Sequence, residues 1–263
     1  MIERAAAGAL VAAAIAAAAW RAGYLSRTGA AAAVFVGTIA IAAGWTWGAL
    51  LIVYFISSSL LSRTGAALKA QRSGSVVEKA GARDGAQVLA NGAVFALAAL
   101  LQLLQPSVLW LAAGAGALAA SAADTWGTEI GMLSKSSPRM ITTWQTVPTG
   151  TSGGVSALGL GATVAGALFI AVAAWLVQRN VHVALAVSLG GLAGALVDSM
   201  SGALWQSRRF CAQCRRDTER LVHDCGTRTE RAGGIGWLNN DGVNAACTLV
   251  GSAVAAGAYE LLA

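Results

Sequence analysis

Two stretches of this sequence run without a charged residue for far longer than a soluble domain would allow. Residues 28–62, between Arg27 and Arg63, and residues 85–123, between Asp84 and Asp124, contain no Asp, Glu, Lys or Arg. A helix crossing a bilayer takes about 20 apolar residues, so each stretch has room for two. Gly44-Trp45 supplies a break in the first and Gln105-Pro106 a break in the second. Glycine and proline are where a helix most readily stops. Further apolar segments lie at 5–20, 155–177, 181–205 and 239–262. The expected fold is an all-α polytopic membrane bundle of about eight transmembrane helices. It forms a single domain over 1–263, with a polar cytoplasmic Cys/His loop at 206–238. The first segment could instead be a secretory signal, but Met-Ile-Glu-Arg has no net positive charge and Trp20-Arg21 is a poor cleavage site.

Composition excludes the obvious alternative. Only 11% of the 263 residues are charged and 56% are hydrophobic, against about 25% charged in a soluble domain. The 32 glycines suit helices that approach closely in lipid, and could equally pack a second copy into a homo-oligomer. The net charge of +6 reads as orientation, with no nucleic-acid partner expected. With eight spans, loops 21–28, 62–87, 124–154 and 206–238 share one side and hold 16 of the 18 Lys and Arg residues. By the positive-inside rule that side is cytoplasmic. The expected location is the cytoplasmic membrane of a prokaryotic cell, with the polar site facing inward.

Carboxylates near a span cost free energy and call for a reason. Asp124 and Glu129 follow span five, Asp198 lies late in span seven, and Asp241 opens span eight beside Asn240 and Asn244. Asn91 lies early in span four. All fall at the cytoplasmic face. Carboxylates gathered at one depth repel unless a cation or bases stand between them, and oxygen-only ligands suit Mg²⁺. Helix capping is the competing reading, strongest for Asp241. Asp124 and Glu129, five positions apart, converge if the helix ends between them, as Gly127 would permit.

A glycine-rich turn, Val147-Pro148-Thr149-Gly150-Thr151-Ser152-Gly153-Gly154, leads toward span six. Backbone N–H groups free of bulky side chains at a helix start can cradle an anion. Gly150, Thr151, Ser152, Gly153 and Gly154 are therefore candidate phosphate contacts, with Asn91, Asn240 and Asn244 around them. No Gly-Lys-Ser/Thr follows, so it is no Walker loop. Lys135 and Arg139, just upstream, are candidates for neutralising transferred charge. The basic run Lys69, Arg72, Lys79 and Arg83 reads as an anionic-lipid contact, from which Lys69 or Lys79 could reach a phosphate. In the last loop Cys211-Ala-Gln-Cys214 and His223-Asp-Cys225 could form a Cys₃His zinc site, although a loose basic loop with incidental thiols would look the same. Cys247 reads as packing and His182 as a headgroup-level residue.

The blocks Ala-Asp124-Thr-Trp-Gly-Thr-Glu129-Ile-Gly131, Pro138-Arg139 with Thr142-Thr143, and Val-Pro148-Thr-Gly150-Thr151-Ser-Gly153-Gly154 resemble one integral-membrane family. It includes the plant phytyl-phosphate kinase and the animal transmembrane protein nineteen. Asp198-Ser199 with Gly202, and Asn239-Asn240-Asp241 with Asn244, are similar to its later motifs. The resemblance implies a CTP-using kinase that converts an isoprenoid monophosphate, such as phytyl phosphate, to the diphosphate. Asp124, Glu129, Asp198 and Asp241 would then hold Mg²⁺, with CTP as the donor and membrane lipid as the surroundings. The rivals are a cytidylyltransferase acting on a lipid phosphate and a lipid or ion transporter.

Overall fold

The structure, a computed structural model, describes residues 2–74, 76–78 and 81–263; Lys79 lies outside them. Helices begin where the sequence offers caps. α1 (Ile2–Arg21) turns into α2 (Arg27–Ala43), where Ser26 accepts the Gly29 N–H. Gly44, at φ 156°, separates α2 from α3 (Trp45–Arg63). A short amphipathic helix, α4 (Ala66–Ser73), precedes α5 (Gly85–Leu104), which opens on a capping box of Asp84 and Gln87. Pro106 parts α5 from α6 (Val108–Gly131), capped by Ser107. Strands β1 (Arg139–Met140) and β2 (Gly154–Val155) pair antiparallel before α7 (Ala157–Gln178). Asn180 caps α8 (Val181–Leu204) and Asn239 caps α9 (Asn240–Leu262). Between them β3 (Arg208–Cys211), β4 (Arg216–Thr218) and β5 (Glu230–Gly233) form an antiparallel sheet in the order β4-β3-β5.

Among the described residues, seven helices, α1, α3 and α5 to α9, are long and apolar enough to cross a membrane, and apolar α2 has 17 residues. α2 and α3 form a hairpin that returns to its starting end. There the Arg63 guanidinium donates to the Ala22 carbonyl and lies 3.7 Å over the Tyr24 ring. Both inferred breaks, at Gly44 and at Gln105-Pro106, are real. Two features differ from the reading of the sequence. α6 does not stop near Gly127 but continues to Gly131, because a Cβ at Gly127 would strike Thr163 of α7 and glycine lets the two helices pass. The 206–238 loop carries a sheet.

α6 is the hub. Every residue from Leu111 to Ala123 is buried, nearly all of them Ala or Gly, and α3, α5, α7, α8 and α9 pack around it. A Cβ at Gly116 would lie 2.6 Å from the Gly251 carbonyl, and one at Gly194 2.6 Å from the Cys247 carbonyl. Large apolar side chains face outward instead: Phe35, Ile56, Leu97, Leu168, Leu189 and Leu249 are exposed. Small residues inside and large ones outside is the pattern of helices solvated by lipid.

The polar connections gather at one end. Leu25 bridges to Arg83 in the chain before α5, Gly150 lies against Ser73 of α4, and Ser207 donates to Leu238.

Candidate functional site

A cavity of about 950 Å³ opens at that end, lined by α3, α4, α5, α6, α7, α8, the glycine turn, the Cys/His loop and the start of α9. Asp124 and Glu129 both stand on its wall, one on each side of a helical turn of α6. Asp198, on α8 and just outside the lining, interacts with Asp124. One oxygen of Asp198, Oδ2, is buried without a hydrogen-bond partner among the described residues. Two neighbouring carboxyl groups need a proton or a cation between them. An orphaned buried oxygen within an all-oxygen donor set fits a hard divalent cation such as Mg²⁺.

Glu129 has a different partner. Lys69 Nζ donates to its Oε2 at 2.6 Å, and also to the Leu61 carbonyl at 2.6 Å. Lys69 is 5% exposed, so this cation belongs to the cavity wall and not to a lipid-facing surface. Asn240 and Asn244, on one face of α9, line the cavity, whereas Asp241 is outside the lining. Asn91 is on the wall within a polar chain: Ser121 donates to Asn91 at 2.5 Å and bonds the Tyr54 hydroxyl at 2.6 Å.

Lys135 and Arg139 do not reach the site. Arg72 donates to the Met132 and Ser134 carbonyls and holds the chain as it leaves α6. The segment then runs outward, where Lys135 is exposed and Arg139 is exposed in β1, donating to the Trp144 carbonyl. Among the described residues, the cations on the wall are instead Lys69, Arg63, Arg83 and Arg220. Arg83 donates to Ser62 and to the Ser58 carbonyl, so it spans from the chain before α5 to α3.

The glycine turn is built as expected and used differently. Gly150 at φ 90° and Gly153 at φ 78° need glycine, and a Cβ at Gly153 would lie 2.6 Å from Ala203 of α8. Two N–H groups read as phosphate donors are spent internally: Thr151 N–H on Pro148 and Gly154 N–H on Thr151. Ser156 takes the Gly159 N–H at the α7 start. The Ser152 hydroxyl donates to Glu219. Glu219, in the chain after β4, is thus the carboxyl group seated against the turn. Burial pushes its carboxyl up to about 7, against the opposing pull of the Ser152 hydroxyl, with Glu78 nearby raising it further. Sequence reasoning missed Glu219 and gave Lys69 only a possible reach to phosphate. Glu219 is one charge among many in a polar loop, and nothing in its spacing marks it as partly buried. For Lys69 the amphipathic 66–73 segment was the available signal.

In the last loop Cys211, Cys214, His223 and Cys225 converge, one ligand atom from each lying within 4.8 Å of all the others. Cys247 is buried in α9, and His182 lies in the first turn of α8, away from the cavity.

Fold and site together define a polytopic integral membrane protein with a polar cavity at one end. It belongs to the family described as integral membrane protein DUF92, whose model matches residues 10–252. The chain is 32% identical over 246 residues to Protein PGR of Arabidopsis thaliana, covering 84% of each chain. It is 31% identical over 212 residues to an uncharacterised membrane protein of Methanocaldococcus jannaschii, covering 80% of this chain and 75% of that one. A third relative, an uncharacterised membrane protein of Synechocystis, is 28% identical over 220 residues, covering 82% and 75%. No solved structure matches the chain significantly.

Proposed function

We propose that the protein transfers the terminal phosphoryl group of a nucleoside triphosphate to an isoprenoid monophosphate such as phytyl phosphate. The donor is CTP, on the family resemblance. One observation carries the reading: the polar cavity shares Tyr54, Arg83, Gln87 and Asn91 with an apolar cleft. That cleft runs between α1, α2, α3 and α5 past Ala16, Val36, Ile41, Leu51 and Phe55. A molecule with an anionic head and an apolar tail can then place its head among the cavity's polar groups and its tail among helices facing lipid.

The chemistry needs positioning and charge more than proton transfer. An oxygen of the acceptor phosphate attacks the terminal phosphorus, and the bond to the bridging oxygen breaks. The nucleoside diphosphate leaves with that electron pair. The acceptor is already an anion, so no residue has to act as a strong base. Asp124 and Asp198 would hold Mg²⁺, which when bound withdraws charge from phosphate oxygens. Arg83 and Lys69 offset the remaining charge, and Asn240 and Asn244 offer amide hydrogen bonds at the wall. The cavity end carries nearly all the basic loop residues and therefore faces the cytoplasm, where nucleotides are dissolved.

The test is to mix the protein purified in detergent with Mg²⁺, γ-labelled CTP and a panel of prenyl monophosphates, and to resolve the products. Label in the lipid diphosphate with release of CDP is expected. Asp124→Asn should lower turnover by about 100-fold or more while eluting unchanged in size-exclusion chromatography. Release of pyrophosphate with a CDP-lipid, or near-normal turnover by Asp124→Asn, would overturn the proposal.

A further inference from the structure

The loop between α8 and α9 poses a folding problem. Its buried side chains are Cys211, Gln206, Thr218, His223 and Thr229, while Leu221, Val222, Ile235 and Trp237 are exposed. A sheet over residues 208–233 with no aliphatic core cannot offset its ordering entropy by apolar burial. Three thiols and an imidazole converge in it, Cys211 and His223 buried and Cys225 exposed. Cys211 Sγ is 3.6 Å from Cys225 Sγ, and His223 Nδ1 is 3.3 Å from Cys225 Sγ. A tetrahedron with metal–sulfur bonds of ~2.3 Å has edges of roughly 3.8 Å, so the spacing is that of ligands around one ion. None of the cysteines forms a disulfide, Cys211 is fully buried, and its sulfur accepts the Cys214 N–H. Three thiolates and one imidazole select zinc among abundant divalent ions.

We propose that Cys211, Cys214, His223 and Cys225 bind one structural Zn²⁺ ion, which holds the chain between Cys214 and His223 across the mouth of the cavity. That strap is anchored on the far side. Glu219 N–H donates to the Val76 carbonyl at 2.9 Å, Arg220 Nε donates to the Val77 carbonyl at 2.8 Å, and Glu219 takes the Ser152 hydroxyl. With both ends tied to one ion, Glu219 and Arg220 are delivered to the cavity wall as a rigid pair. The four ligands are positioning residues with respect to the cavity, and the ion site stands independently of the phosphoryl-transfer reading.

The test uses the full chain purified in detergent from zinc-replete medium, with elemental analysis and limited trypsin digestion. About one zinc per chain is expected. Cys211→Ser/Cys214→Ser should retain less than roughly a tenth of that, while Cys247→Ser should retain all of it. Stripping zinc with a chelator should speed trypsin cleavage at Arg215, Arg216 and Arg220 by about tenfold or more, with Zn²⁺ but not Mg²⁺ restoring protection. Because stripping acts on folded wild-type protein, the test does not depend on the variant folding. Wild-type protein without zinc, zinc retained by the double variant, or iron in place of zinc would each overturn the metal assignment. Bound zinc whose removal leaves cleavage unchanged would overturn the strap.

Discussion

At the scale of single residues, what decides behaviour is how each buried charge is compensated. Lys69 and Glu129 are an ion pair with side chains 7% and 17% exposed. Removing one member strands the other, at a cost of about 3–5 kcal/mol, whereas removing both is much cheaper. Lys69→Met is therefore expected to lower the melting temperature in detergent, and Lys69→Met/Glu129→Gln to recover most of the loss; equal loss in both would show that the pair contributes nothing. Glu219 behaves differently because its folded-state carboxyl titrates near 7 instead of the usual 4.5. A raised acid binds its proton more tightly when docked. The docked strap is accordingly held best below about pH 4.5 and loses that contribution as pH rises through 7. Cleavage of the strap by trypsin should be faster at pH 8 than at pH 6 after correction for the protease's own pH dependence, and Glu219→Gln should flatten that difference. An unchanged ratio in the Gln variant would place the titration elsewhere.

At the scale of elements, helix–helix distance is set by glycine. Gly116, Gly190 and Gly251 let α6, α8 and α9 approach until backbone meets backbone. Gly251→Ala places a methyl group 2.5 Å from the Ala120 side chain and should cost roughly 1–3 kcal/mol by overpacking. Gly161→Ala, in α7, meets nothing within 4 Å and should be neutral or stabilising by up to about 1 kcal/mol. Thermal denaturation of the two variants side by side would check the contrast, and equal effects would argue against glycine-limited packing. The extension of α6 to Gly131 has the same origin. Gly127 reads locally as a helix breaker, yet here it is the position where α7 crosses.

At the scale of the whole molecule, the four polar connections meet at one end because each pair of apolar helices must turn back. The basic residues collected there set an orientation. With Arg179 at the opposite end, Arg179→Cys should react with a membrane-impermeant maleimide in intact cells, and Ser136→Cys only after permeabilisation. The reverse pattern would put the cavity outside and remove soluble nucleotide as its substrate.

Much of this architecture was legible in the residues. An uncharged run longer than one span has to contain a turn, which is why Gly44 and Gln105-Pro106 could be read as breaks. Asp124 and Asp198 could be singled out because lipid makes an uncompensated carboxylate expensive, and chain parity put both at one end. What hydropathy cannot encode is which loop charges become buried. Lys135 and Arg139 sit next to the glycine turn in sequence yet point away from it, since Arg72 ties the chain down as it leaves α6. Lys69 and Glu219 come from distant segments and enter the cavity because other loops close over them. Spans and their direction follow from transfer free energies summed along the chain, a local property. The membership of the cavity wall depends on contacts between segments far apart in sequence, and only the packed tertiary structure decides those.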